Sequence, residues 1–194
     1  MTKVSFVPGA WEKAGLEYAY SWRFPDLPVF RQEADCIANS QTADDPPDFD
    51  YMGLLAPEAC GSGAKLAVRR SFEALGAPML LLSMEDEVDP DGVLRTLEYY
   101  EIVIWKNGLN VWRHHTDHRR TSHYLALGAT FPLRADEIHT LSAEIHPDRL
   151  LMDVDGHKLN LFVPDLRDRF RLGYTACEGI CRLYEMTIDP GTPF

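Results

Sequence analysis

Residues 97–115, LEYYEIVIWKNGLNVWRHH, alternate in character on either side of Asn107-Gly108 and read as two strands of an antiparallel hairpin. Asn-Gly is the strongest short hairpin signal, because both residues accept the positive φ of a type I′ turn. With those two residues as the loop, Glu101 is expected opposite His114, Val103 opposite Trp112 and Trp105 opposite Asn110. Directly opposed residues share one face of a sheet. Tyr99, Glu101, Trp105, Asn110, Trp112 and His114 are therefore expected together on one side, and Tyr100, Ile102, Ile104 and Val111 on the side facing a core.

The same period of two runs through most of the chain, with turn residues rather than helix caps between the segments. Strands are expected over 16–24, 29–38, 49–55, 64–73, 78–84, 95–106, 109–115, 122–128, 139–146, 149–155, 157–163, 169–176 and 181–188. Helix is confined to a short turn near 164–168 or 56–60. A second hairpin, RLLMDVDGHKLNLF, turns at Asp155-Gly156 and sets Met152 against Leu159 and Asp153 against Lys158, one face apolar and the other an opposite-charge pair. Short strands with turn signals between them indicate an all-β fold, a sandwich or barrel. The acidic Thr42–Asp48 stretch reads as an exposed loop inside one domain spanning 1–194.

The chain carries 19 Lys and Arg against 30 Asp and Glu, a formal net charge of −11. That balance argues against nucleic acid or an anionic membrane as partner. No segment has the roughly 18 apolar residues of a membrane span, and MTKVSFVPGAWEK lacks the apolar run of a signal peptide, so a cytoplasmic location is expected. Cys36, Cys60, Cys177 and Cys181 are too few and too scattered for a disulfide scaffold. No cofactor and no metal site is expected. The cluster His114, His115, Asp117, His118 and His123 splits between two strand faces and lies beside Arg119 and Arg120, and Asp86–Gly92 reads as a turn rather than a calcium loop.

Three segments carry a resemblance: YYEIVIWKNGLNVWRH (99–114), LSAEIHPDRLLMDVDGHKL (141–159) and GYTACEGICRLYEMTID (173–189). Their order resembles the concanavalin A-like lectin/glucanase superfamily, in particular the sugar-active branch that includes 3-keto-disaccharide hydrolase domains. The likeness implies a two-sheet antiparallel jelly-roll sandwich and a small carbohydrate ligand. Val103 stands where that branch has a glutamine, and the glucanase signature E-x-D-x-x-E is absent.

Glu101 among aromatic rings suits a general acid or base, with His114 as its proton-relay partner. The competing reading is a rim carboxylate beside a structural histidine. Glu98 points to the opposite face, so a two-carboxylate glycosidase would draw its partner from another strand, with Glu33, Asp35, Glu73 and Glu185 as candidates. Tyr99, Trp105 and Trp112 are candidate sugar-stacking rings or ordinary core aromatics. Asn110 joins the ligand-facing set by register, and Arg69 is either a donor to sugar hydroxyls or a solvated arginine, while Arg70 falls on the apolar side and needs a partner. The function expected is a glycoside hydrolase or lyase acting on a small oligosaccharide or glycoside. The alternatives are a non-catalytic sugar-binding module and a homo-oligomer assembled through the aromatic face.

Overall fold

Residues 1–23, 27–39 and 51–192 are described by a computed structural model, and within them the period-two segments become strands. In chain order these are β1 (Thr2–Ser5), β2 (Glu17–Ser21), β3 (Arg31–Gln32), β4 (Ile37–Ala38), β5 (Met52–Leu55), β6 (Ala64–Phe72), β7 (Ala77–Val88) and β8 (Leu94–Trp105). They continue as β9 (Gly108–Asp117), β10 (Arg120–Thr130), β11 (His139–His146), β12 (Arg149–Val154), β13 (His157–Phe162), β14 (Arg171–Cys177) and β15 (Cys181–Asp189). One 3₁₀ turn, Trp11–Ala14, is the only helix among the described residues, and the segments near 56–60 and 164–168 form turns instead. The Thr42–Asp48 segment and Phe24, the last residue of the expected 16–24 strand, lie outside the described residues.

Two antiparallel sheets pack face to face. The first is ordered β13–β12–β11–β6–β15–β4–β3, with β1 also paired to β15. The second is ordered β10–β9–β8–β2–β5–β14–β7, with β7 paired to β8 as well. The β2–β8 pairing is parallel, at Tyr20–Arg95 and Ser21–Thr96. Strands that pair in sequence order come from tight turns, whereas β6 pairs with β11 and β15, from which it is separated by four and by eight intervening strands, the crossing pattern of a jelly roll.

The interior follows from the alternation. Leu66, Val68 and Phe72 of β6, Ile102 and Ile104 of β8, Leu141 and Ile145 of β11, and Leu150 and Met152 of β12 share one buried cluster between the sheets. Each such side chain contributes roughly 1.5–3 kcal/mol by leaving water. The Asp155-Gly156 hairpin forms in the expected register, Met152 with Leu159 and Asp153 with Lys158. Both turn residues have positive φ, 49° and 94°, as a type I′ turn requires.

The 97–115 hairpin forms in a different register. Glu101 lies opposite Trp112, Tyr99 opposite His114, Val103 opposite Asn110 and Trp105 opposite Gly108, so the loop residues are Lys106 and Asn107. Neither takes positive φ. The loop is instead held from outside, the Lys106 and Asn107 carbonyls accepting the backbone N–H groups of Leu133 (3.0 Å) and Phe131 (3.1 Å). Relative to the expected pairing, the strands slide by an even number of residues. An even slide keeps every side chain on its face, whereas an odd one would have inverted them all.

The expected strand over 29–38 breaks into β3 and β4. The chain folds back between them, the Glu33 amide donating to the Cys36 carbonyl at 2.9 Å, and the Gln32 amide nitrogen lies within hydrogen-bond distance of the carbonyls of Phe6 (3.0 Å), Glu33 (2.8 Å) and Cys36 (2.9 Å). A side-chain amide whose two N–H donors are shared among backbone carbonyls offers the chain an alternative to ladder bonds.

Arg70 occupies the inward side of β6 and is 0% exposed. Its Nη1 donates to the His139 carbonyl at 3.0 Å, while Nε and Nη2 have no hydrogen-bond partner. Burial pushes the guanidinium pKa down to about 10, with Tyr174 and Asp155 acting weakly the other way. The group stays charged at neutral pH and forms no ion pair among the described residues, so its desolvation is poorly compensated. Arg70→Met is expected to raise unfolding stability by about 1–4 kcal/mol, read by chemical denaturation. A loss of stability would show that the guanidinium is better satisfied than this geometry indicates.

Candidate functional site

The outward faces of β8 and β9 carry Tyr99, Glu101, Val103 and Trp105 alongside Asn110, Trp112 and His114. Glu101 is 5% exposed and His114 2% exposed. The imidazole Nε2 lies 2.8 Å from Glu101 Oε2, bent away from a straight N–H···O line. The other carboxylate oxygen, Oε1, accepts the hydroxyl of Tyr51, the residue immediately before β5. Burial first, and then the Glu101 charge, push the Tyr51 phenol well up, so it remains a donor.

Aromatic stacking fixes the imidazole. Its ring is parallel to Tyr99 at 4.4 Å between centroids, and His123 of β10 stacks on it at 5.5 Å. Trp112 meets His123 edge-on at 5.6 Å. Tyr99 is anchored in turn by donating its hydroxyl to Ser21 Oγ at 3.0 Å. Burial, and then the nearby Arg23 and His114, lower the His123 pKa against a smaller opposing pull from Glu101, which favours a neutral ring.

These groups open into a cleft of about 490 Å³. Glu101, Trp105, Asn110, Trp112 and His114 line it, so five of the residues singled out from sequence converge there. Tyr99 does not reach the cleft, because it lies beneath the His114 ring and is fully buried. Arg69 is exposed on β6 in the other sheet and pairs with Thr140 and Glu185 positions, away from the cleft. Its outward direction was legible, but which sheet β6 would join was not.

Of the suggested partner carboxylates, Glu33 and Glu73 bind Arg182 and Glu185 binds Lys3, and none of them, nor Asp35, lines the cleft. Glu98 lies on the opposite face and binds Arg113 at 2.6 Å. Among the described residues, the second carboxylate in the cleft is Glu178, which sequence reading passed over in favour of the flanking cysteines. Tyr51 was also missed: fifty residues separate it from Glu101, and no local pattern links them.

A larger groove of about 690 Å³ crosses the outer face of the other sheet. No aromatic or imidazole ring lines it, and its Lys65 is paired with Glu144 at 2.9 Å. The smaller cleft is therefore the chemical candidate. Among the described residues, no group of three or more His, Cys, Asp or Glu side chains is arranged to hold a metal ion, and no helix is long and apolar enough to cross a membrane. In the Asp86–Gly92 turn, Asp89 Oδ1 accepts the Asp91 and Val93 amides at 2.9 Å each, while Oδ2 pairs with Arg95 at 3.0 Å.

Solved structures share this architecture. A Bacillus subtilis protein of unknown function with a galectin-like fold superposes with a TM-score of 0.68 at 11% identity, covering 98% of this chain and 95% of its own. The carbohydrate-binding module CBM66 from Bacillus subtilis gives 0.63 at 11% identity over 84% and 91%. The fold is a concanavalin A-like jelly roll. A Bacteroides ovatus family 16 glycoside hydrolase from a mixed-linkage glucan utilisation system, solved with a G4G4G3G product, has the same jelly roll, with a TM-score of 0.56 at 11% identity over 97% and 94%. No protein-family model matches the sequence, and no curated protein matches it. At such identity the likeness extends to the jelly roll alone.

Proposed function

We propose that the cleft binds a small saccharide and that the protein is carbohydrate-active, a glycoside hydrolase or lyase on an oligosaccharide or glycoside. The observation that carries this reading is the convergence of a buried Glu–His pair, an amide side chain and two indoles on one cleft. Indole faces cover the apolar C–H face of a pyranose and leave its hydroxyls free for polar groups such as Asn110. A volume of about 490 Å³ lies within the usual range for small-ligand sites. The ligands named for the hydrolase above, and the binding function named for CBM66, support the same class.

In this reading Glu101 is the acid/base. The Tyr51 hydroxyl occupies Oε1, so the oxygen through which Glu101 exchanges a proton is Oε2, beside His114 Nε2. His114 then carries or returns that proton, its ring kept in plane by Tyr99 and His123.

One observation favours a second reading, a non-catalytic saccharide-binding module: protein groups already engage both oxygens of Glu101. Thermal-shift measurements against p-nitrophenyl glycosides of the common pyranoses and a mixed-linkage glucan tetrasaccharide test the shared part of both readings. At least one ligand should raise the melting temperature of the wild type. Trp112→Ala should weaken that ligand about tenfold or more, since an aromatic platform is worth on the order of 1–3 kcal/mol. A panel with no stabilising member would remove the saccharide assignment.

A further inference from the structure

The second carboxylate of the cleft stands on a backbone that glutamate ordinarily avoids. Glu178 has φ of +56° and Gly179 follows at +84°, in the turn between β14 and β15. Left-handed φ at a residue with a Cβ is disfavoured, and asparagine or glycine would occupy that position at lower cost. The surroundings nevertheless over-determine the turn. Asn39, fully buried, donates its Nδ2 to the Gly179 carbonyl at 2.6 Å and accepts the Cys181 amide on Oδ1 at 2.8 Å. The Ile180 carbonyl accepts the Glu73 amide at 2.8 Å. Gly179 lies so close to the β6–β7 loop that an added Cβ would sit 2.9 Å from the Gly76 nitrogen. Strain sustained in this way concentrates at functional sites.

The turn also forms one wall of the cleft, so the strained residue is placed where a ligand would sit. Cys177 also lines the cleft, and after burial itself the charges of Glu101 and then Glu178 push its thiol up. Resting on the saccharide reading above, we propose that Glu178 is a ligand-contacting residue whose carboxylate accepts hydrogen bonds from vicinal hydroxyls of the bound sugar. Glu101 reaches the same ligand from β8. A carboxylate offers two acceptor oxygens and no donor, which matches a neutral diol.

The test is calorimetric titration of wild type, Glu178→Gln and Glu178→Gly with the same glycosides and tetrasaccharide. Glu178→Gly should fold with an equal or higher melting temperature, because glycine tolerates the turn. It should bind about tenfold or more weakly, the scale of a lost charge-assisted hydrogen bond, with Glu178→Gln in between. Equal affinity in wild type and Glu178→Gly would overturn the role of Glu178 and leave the saccharide reading standing. A wild type that binds no member of the set would overturn both.

Discussion

Glu101→Gln is expected to lower turnover by about 10²–10⁴-fold while leaving saccharide affinity within about threefold, the pattern of a lost proton-transfer group rather than a lost contact. The amide keeps the shape of the carboxylate, so Tyr51 still has an acceptor and the stack of Tyr99, His114 and His123 stays assembled. What disappears is the basic oxygen beside His114 Nε2. Affinity should survive because Trp105 and Trp112 supply the platform independently. Steady-state kinetics on whichever glycoside the wild type turns over, paired with titration of the same compound, separates the two quantities. Undiminished turnover would remove Glu101 from the mechanism. A wild type that binds but turns nothing over would favour the binding-module reading.

Gly108→Ala should destabilise the protein by about 3–5 kcal/mol and abolish ligand binding at the same time, placing it in the severe tail of single substitutions. A Cβ at this position would lie 2.0 Å from the Ala129 carbonyl oxygen on β10, and φ there is +142°. Flexible side chains can move aside, but two paired backbones cannot without breaking the β9–β10 ladder. That ladder positions His123 against His114, at the His123–His114 pairing. Denaturation midpoints and thermal shift read both effects. An alanine variant of near wild-type stability would show that β10 can retreat from β9, and would weaken the account of how the cleft is held.

The two hairpins show what a sequence signal can and cannot specify. Asp155-Gly156 gave the right turn and the right register, because both residues take the positive φ that their chemistry allows and no other strand competes for the glycine. Asn107-Gly108 has the same local chemistry, yet its glycine serves the contact with β10 and its loop carbonyls bind Phe131 and Leu133. Those partners lie more than twenty residues downstream, beyond any window used to read a turn. The facial grouping survived because side-chain direction depends only on whether the slide is odd or even. Arg69 and Tyr99 show the complementary failure. Alternation told which way each points within its strand, but not which sheet β6 would join or which ring would cover the other.

The sequence by itself determined the strand content, the inward and outward faces, and the company of Glu101 with His114, Asn110 and two tryptophans. Period-two alternation encodes those properties locally. Tertiary structure alone decided that Tyr51 donates to Glu101, that His114 is sandwiched between Tyr99 and His123, and that Glu178 closes the cleft from a strained turn. Each of these joins residues far apart in the chain, and their meeting depends on strand order and twist, which no local pattern carries.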